Sequence, residues 1–227
     1  MGGQRETGWR GYWVTLAIMA INIAAYILCT QTGEVVYNMG SMNAERILVD
    51  KQYYRFVTAM FLHADIEHIV SNMIYLVGLG QMIEQMIGHV RFAVLYLLSG
   101  FGACIFSIMY AVQTGDIYDA VGASGAVFGL IGALFILLVI RDMRRRSYRR
   151  SSDAGGMPER MDILDANGRG MPDGYENVSV GKMVFVVVYM IYSGTRAERI
   201  DNAAHVGGLM CGLLLMAVLN LIKTRRI

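Results

Sequence analysis

The sequence predicts an all-α polytopic membrane protein, a bundle of six membrane-spanning helices. Three observations carry that prediction. Of the 227 residues, 55% are hydrophobic, with a mean hydropathy of +0.43; the apolar residues gather into runs; and lysine and arginine fall mostly on one side of those runs. A hydrocarbon core about 30 Å thick needs roughly 20 apolar residues in a helix. The runs lie near Tyr12–Cys29, Ile66–Ile87, Phe92–Val112, Ser124–Ile140, Met183–Ser193 and Ala203–Ile222.

The first run follows a short basic stretch, as a signal peptide would, but no small-x-small cleavage site follows it, so it reads as a retained anchor behind a cytoplasmic segment, residues 1–11. The opening "MGGQRE" lacks the serine or threonine of a myristoylation signal. From Gln31 to Leu62 the chain is mixed in character and holds "YYRF", which suggests structure of its own at the membrane surface. After the fourth run, residues 141–182 are rich in Arg, Gly, Asp and Ser and contain both prolines. This stretch reads as a flexible cytoplasmic insert within a core spanning 12–222. The fifth run is the shortest, its dozen or so residues reaching only about 18 Å at 1.5 Å each. The sixth ends in a basic tail, residues 223–227.

Basic residues near span ends favour the cytoplasmic side. With the N-terminus inside, six spans place 15 of the 20 Lys and Arg on inner segments and leave only Arg46, Lys51, Arg55, Arg196 and Arg199 outside. Five spans would strand Lys223, Arg225 and Arg226 outside. Both termini are therefore expected in the cytoplasm, and the pattern fits a bacterial plasma membrane. The basic clusters are accounted for as inner flanks, so no nucleic-acid partner is expected. The stretch "DILDANGRGMPDG" has the wrong spacing for a calcium loop, and neither a metal nor a cofactor is expected. Cys29, Cys104 and Cys211 are odd in number and lie in apolar runs, which implies no disulfide framework. The 17 methionines suit irregular packing gaps.

Ionisable and polar residues inside a span are costly, and they usually face the protein interior or a water-filled cavity. Here they are His63, His68, Asn72, Glu84, Ser124 and His205, with Asn22 and Gln81 as lesser cases. Glu84, near the inner end, suits burial against backbone donors, and His89 suits an interfacial role. His68 and Asn72 are four apart and share one helical face at the start of the second span. Ser124 opens the fourth span and His205 lies near the start of the sixth. The topology puts His63, His68, Asn72, Ser124 and His205 at the outer end. Gly125 and Gly129 stand four apart, as do Gly208 and Gly212, giving each helix a small-residue stripe for close approach. That approach would bring Ser124 within about 3 Å of His205, and Phe128, one turn on, against the imidazole. Neutral imidazole is the usual base for a serine nucleophile. His68, Asn72 and the Ser124 N–H are candidate oxyanion donors. Asp201 sits at the loop end four residues before His205, so a dyad is the better reading than a triad.

"GASG" at Gly122–Gly125, "HADIEHIVSN" at His63–Asn72 and "AHVGGLMCG" at Ala204–Gly212 resemble, in order, the GxSG, HxxxxHxxxN and AHxxGxxxG motifs of rhomboid intramembrane serine proteases. "LGQMIE" ending at Glu84 and Tyr54–Arg55 also resemble rhomboid positions, the latter with Tyr in place of the usual Trp. The resemblance implies the six-helix rhomboid core and a serine endopeptidase. It implies that Ser124 is the nucleophile, His205 the base, and His68, Asn72 and the Ser124 amide the oxyanion hole. Phe128 would take the aromatic position against the base, with His63, Gly122, Gly125 and Gly208 in support. Arg55 would shape the first outer loop. The fifth span and Gly194–Asn202 would form the gate and cap through which substrate enters.

The expected partners are transmembrane protein substrates and membrane lipids. Small or turn-forming residues are expected in a substrate, because a stable helix hides its carbonyls in its own hydrogen bonds. Two other readings stand beside this one. The first is a proteolytically inactive rhomboid-like binder of membrane helices. The second is a small transporter, which would need polar residues continuing inward where the fourth and sixth spans are almost wholly apolar.

Overall fold

A computed structural model describes residues 11–152, 175–196 and 201–224. Its long helices run α1 (Trp13–Thr32), α5 (Ile66–Ile87), α6 (His89–Thr114), α7 (Ser124–Ser152), α8 (Val180–Arg196) and α9 (Asn202–Thr224). Between α1 and α5 lie three short helices, α2 (Glu34–Gly40), α3 (Ala44–Leu48) and α4 (Arg55–Thr58), followed by a 3-10 turn at Ala59–Phe61. By length and apolar composition α1, α6, α9 and the first 20 residues of α7 can each cross a membrane. Helix α8 is 17 residues long, and α5 carries His68, Asn72, Gln81 and Glu84 along its 22.

Helix α7 forms the centre. Ala123, Ala126, Val127, Phe128, Leu130, Ile131, Ala133, Leu134 and Leu138 are all buried, and α5, α6 and α9 pack around them. Exposed apolar side chains such as Ile21 and Ile27 on α1, Leu97 and Met109 on α6, and Leu214 and Val218 on α9 clothe the outside, as lipid-facing surfaces require. Lipid tails are as apolar as leucine, so burial of apolar area drives little association between such helices, and close packing has to supply it. The glycine stripes do so. A Cβ on Gly208 would collide with the carbonyl of Gly125, and one on Gly212 with the carbonyl of Gly129. The two stripes read from the sequence thus face one another across α7 and α9.

Polar anchors fix the far end of the bundle from Ser124. The Glu84 carboxylate, fully buried, accepts from the N–H of Val14 (3.0 Å), the N–H of Thr15 (2.8 Å) and Thr15 Oγ1 (2.6 Å), and lies 2.5 Å from His89 Nδ1. It therefore satisfies donors in the first turn of α1 that have no helical partner. Helix α7 does not stop where its apolar run does: it continues through the arginine block to Ser152. Arginine is a good helix former, and neither proline nor glycine interrupts the chain before Gly155. The expected loop is thus shorter by that helical stretch, and its residues 153–174 lie outside the described residues. Where the chain returns, Arg141 Nη1 donates to the carbonyls of Tyr175 and Val178, each at 3.0 Å, and its guanidinium lies 5.0 Å over the Tyr175 ring.

Candidate active site

The segment leading into Ser124 is held from three directions. Met42 and Ala120 exchange backbone hydrogen bonds of 2.8 and 2.9 Å, and Gly122 N–H donates to the Ala59 carbonyl at 2.9 Å. Ser41 Oγ and Asn43 Nδ2 both donate to Asp119, at 2.9 and 3.2 Å. The α1–α5 connection thereby sets the entry to α7. Gly122 has φ 131°, a conformation that side-chain-bearing residues rarely adopt. Val127 N–H bonds the Ala123 carbonyl as the first helical link of α7. The N–H groups of Ser124, Gly125 and Ala126 therefore have no carbonyl one turn back, and they cluster at the positive end of the helix dipole.

Helix α9 brings the histidine. Its first turn is capped by Asp201, whose Oδ1 accepts from Ala204 N–H at 2.8 Å while its main-chain carbonyl accepts from His205 N–H at 3.2 Å. His205, buried, places Nε2 3.0 Å from Ser124 Oγ. Its ring stacks on Phe128, with centroids 4.2 Å apart and planes 11° from parallel. No described residue hydrogen-bonds Nδ1. Among the described residues the arrangement is a pair, with no third acidic member.

Helix α5 brings the remaining polar groups to the same end. Asp65 caps it by accepting from His68 N–H at 2.7 Å. A Cβ on Gly122 would stand 2.7 Å from His68 Cε1 and Nε2, so the imidazole occupies the space this glycine leaves beside Ser124. Asn72, buried, donates one Nδ2–H to the His68 carbonyl at 3.1 Å, and that amide has a second N–H. His63 and His68 meet edge to face with centroids 5.0 Å apart. Burial, reinforced by repulsion from a charged His68, pushes the His63 imidazole down to about 4. It is held neutral at physiological pH.

A family model described as the Rhomboid domain matches residues 50–151, which contain His63, His68, Asn72 and Ser124. Curated proteins with rhomboid names match a wider stretch. RHOMBOID-like protein 7 of Arabidopsis thaliana is 30% identical over 178 residues, 78% of this chain and 46% of its own. The chain belongs to the rhomboid family. This rhomboid is also similar to Rhomboid protease GluP of Bacillus subtilis (strain 168), at 26% identity over 92% of the chain and 35% of the relative. Rhomboid protease AarA of Providencia stuartii is 22% identical over 89% of the chain and 70% of the relative. The chain spans about half the length or less of the plant relatives it matches.

In this rhomboid the connection before α5 is organised by Arg55, which is 1% exposed. Its Nη1 donates to the Ser41 carbonyl at 2.7 Å, Nη1 and Nη2 both reach the Asn38 carbonyl, and Nε donates to Gln52 Oε1 at 2.7 Å. On the other side of Ser124, the sequence marks Asp201 only as a residue outside the dyad and does not single out Ser107 and Tyr118. A cleft of about 390 Å³, counted out to open solvent, is lined there by Met60, Cys104, Ser107, Gly122, Ser124 and Asp201 among others. Ser107 Oγ donates to Asp201 Oδ2 and lies 3.3 Å from the Tyr118 hydroxyl. Burial pushes the Tyr118 phenol up to about 12, which leaves it protonated and able to donate. Of the expected cap Gly194–Asn202, residues 197–200 lie outside the described residues.

Proposed function

We propose that this rhomboid is an intramembrane serine endopeptidase that cuts peptide bonds in or near transmembrane segments. The observation that carries the reading is the 3.0 Å contact between His205 Nε2 and Ser124 Oγ, with the imidazole stacked flat on Phe128. In this reading Ser124 Oγ attacks the scissile carbonyl while Nε2 takes its proton, and His205 then returns that proton to the leaving amine. Oxyanion charge develops at the N-terminus of α7, where the Ser124 N–H lacks a helical acceptor. His68 and the second N–H of Asn72 add donors. Water then attacks the acyl-enzyme with His205 again as base. The cleft lined by Ser124, Ser107 and Asp201 supports entry of water to that site.

We read α5 and α8 as two further spans, making six, with both termini cytoplasmic and the Ser124 end outward, on the strength of the 15-to-5 partition of basic residues. Substrates are transmembrane proteins whose helix gives way near the scissile bond. Apolar Val184 and Val188 on α8 are exposed, and among the described residues α8 packs sparingly on the rest of the bundle, which supports entry of a substrate helix past it.

Fluorophosphonate treatment of the purified protein followed by peptide mass spectrometry tests the nucleophile. One adduct on Ser124 that disappears in His205→Ala is expected. A folded protein that reacts nowhere, or reacts at another serine, contradicts the assignment and favours a binder that does not cut.

A further inference from the structure

We infer that Asp201, tied to Ser107, is a positioning residue for His205. The inference rests on the protease reading above. Asp201 makes three contacts that converge on one short stretch of chain. Its Oδ1 caps α9 through Ala204 N–H, its carbonyl holds the N–H of His205 itself, and its Oδ2 accepts from Ser107 Oγ on α6, 94 positions away in sequence. Tyr118, within 3.3 Å of Ser107 Oγ, extends the chain of hydroxyls. Linked hydrogen bonds of this kind polarise and order one another.

The imidazole needs such an anchor. In a triad a carboxylate on Nδ1 fixes the ring, but here both Asp201 oxygens are engaged elsewhere and no described residue hydrogen-bonds His205 Nδ1. The plane of the ring is set by Phe128. Its height and reach toward Ser124 follow from where the backbone of α9 begins. The glycine stripe fixes α9 against α7 from Gly208 onward, one turn past His205 in the direction of the far end. On the side of α6, a Cβ on Gly207 would stand 2.5 Å from Phe106 Cβ, and Ser107 is the next residue. The Asp201–Ser107 tie is thus the fixed point on the N-terminal side of His205, and the glycine contacts are the fixed point on the other. A displacement of about 1 Å in a reacting group can cost about a hundredfold in rate.

The test compares the full chain in liposomes as wild type, Asp201→Ala, Asp201→Asn, Ser107→Ala and the Ser107→Ala/Asp201→Ala double variant. Three quantities are read: kcat and KM on a single-span peptide, the second-order rate constant for fluorophosphonate labelling of Ser124, and the labelled fraction at completion. A role confined to stability lowers the labelled fraction and leaves the rate constant of the folded fraction unchanged. We expect Asp201→Ala and Ser107→Ala each to lower kcat and the labelling constant about tenfold or more, with KM within about twofold. The double variant should be no slower than Asp201→Ala, since both deletions break one tie. Asp201→Asn keeps the capping oxygen and offers an N–H to Ser107 Oγ, and should recover to within about threefold of wild type. An unchanged labelling constant, a change in KM alone, or additive losses in the double variant would overturn the inference while leaving the protease reading intact. A wild type inert to both peptide and probe would overturn the protease reading and this inference with it.

Discussion

The carbonyl of Gly125 occupies the space that a Cβ on Gly208 would fill, and one turn on Gly129 stands in the same relation to Gly212. These contacts bring the backbones of α7 and α9 together closely enough for Ser124 and His205 to meet. Gly208→Ala is therefore expected to force the helices apart, costing about 1–3 kcal/mol as an overpacked core does, and to abolish cleavage. Gly78→Ala meets nothing within 4 Å and should leave both properties near wild type. Denaturant unfolding in detergent, with activity measured on the folded fraction, checks the contrast.

Phe128 sets the plane of His205. Phe128→Leu keeps an apolar side chain of comparable size in this buried position, so the stability loss should stay below about 1.5 kcal/mol. The flat surface under the imidazole is lost, and kcat should fall about tenfold to a hundredfold. Steady-state kinetics beside thermal unfolding separates the two effects. Equal rates for Phe128→Leu and wild type would remove Phe128 from the mechanism.

His63 predicts a pH dependence of stability. Its folded pKa, about 4, lies below the ordinary value of 6.5, so between those values the unfolded chain binds the extra proton. The stability it lends is fully present above pH 6.5 and is lost as pH falls toward 4, by about 3 kcal/mol at most. His63→Gln should flatten this part of the profile. Unfolding temperatures at pH 7 and pH 4.5 measure it, and an equally steep loss in the variant would assign the effect to another group.

Glu84 acts at the opposite end from Ser124. Replacing it with glutamine turns an amide N–H₂ toward donors in the first turn of α1 and leaves at least one of them unpaired, at about 1–3 kcal/mol. Stability should drop while kcat per folded molecule stays unchanged. A fall in kcat would mean that the α1–α5 anchor reaches the site.

Much of this was legible in the sequence because membrane packing leaves periodic marks. The stripes Gly125/Gly129 and Gly208/Gly212, and polar residues set in otherwise apolar runs, point inward for reasons that hold residue by residue. The ties around the site carry no such mark. Ser41 and Asp119 are 78 positions apart, and Ser107 and Asp201 are 94; each residue alone reads as an ordinary loop or span polar group, and only the fold pairs them. The length of α7 was hidden for another reason. Hydropathy marks where a helix leaves the apolar phase, and an arginine-rich helix continuing beyond that point carries no hydropathy signal.

In the proposed mechanism Ser124 and His205 together perform peptide-bond hydrolysis. The most direct measurement is cleavage of a model single-span substrate by the purified protein in liposomes, comparing wild type with Ser124→Ala and His205→Ala, each checked for folding. Cleavage by wild type and by neither variant is the expected result. Cleavage at the wild-type rate by either folded variant would contradict the dyad.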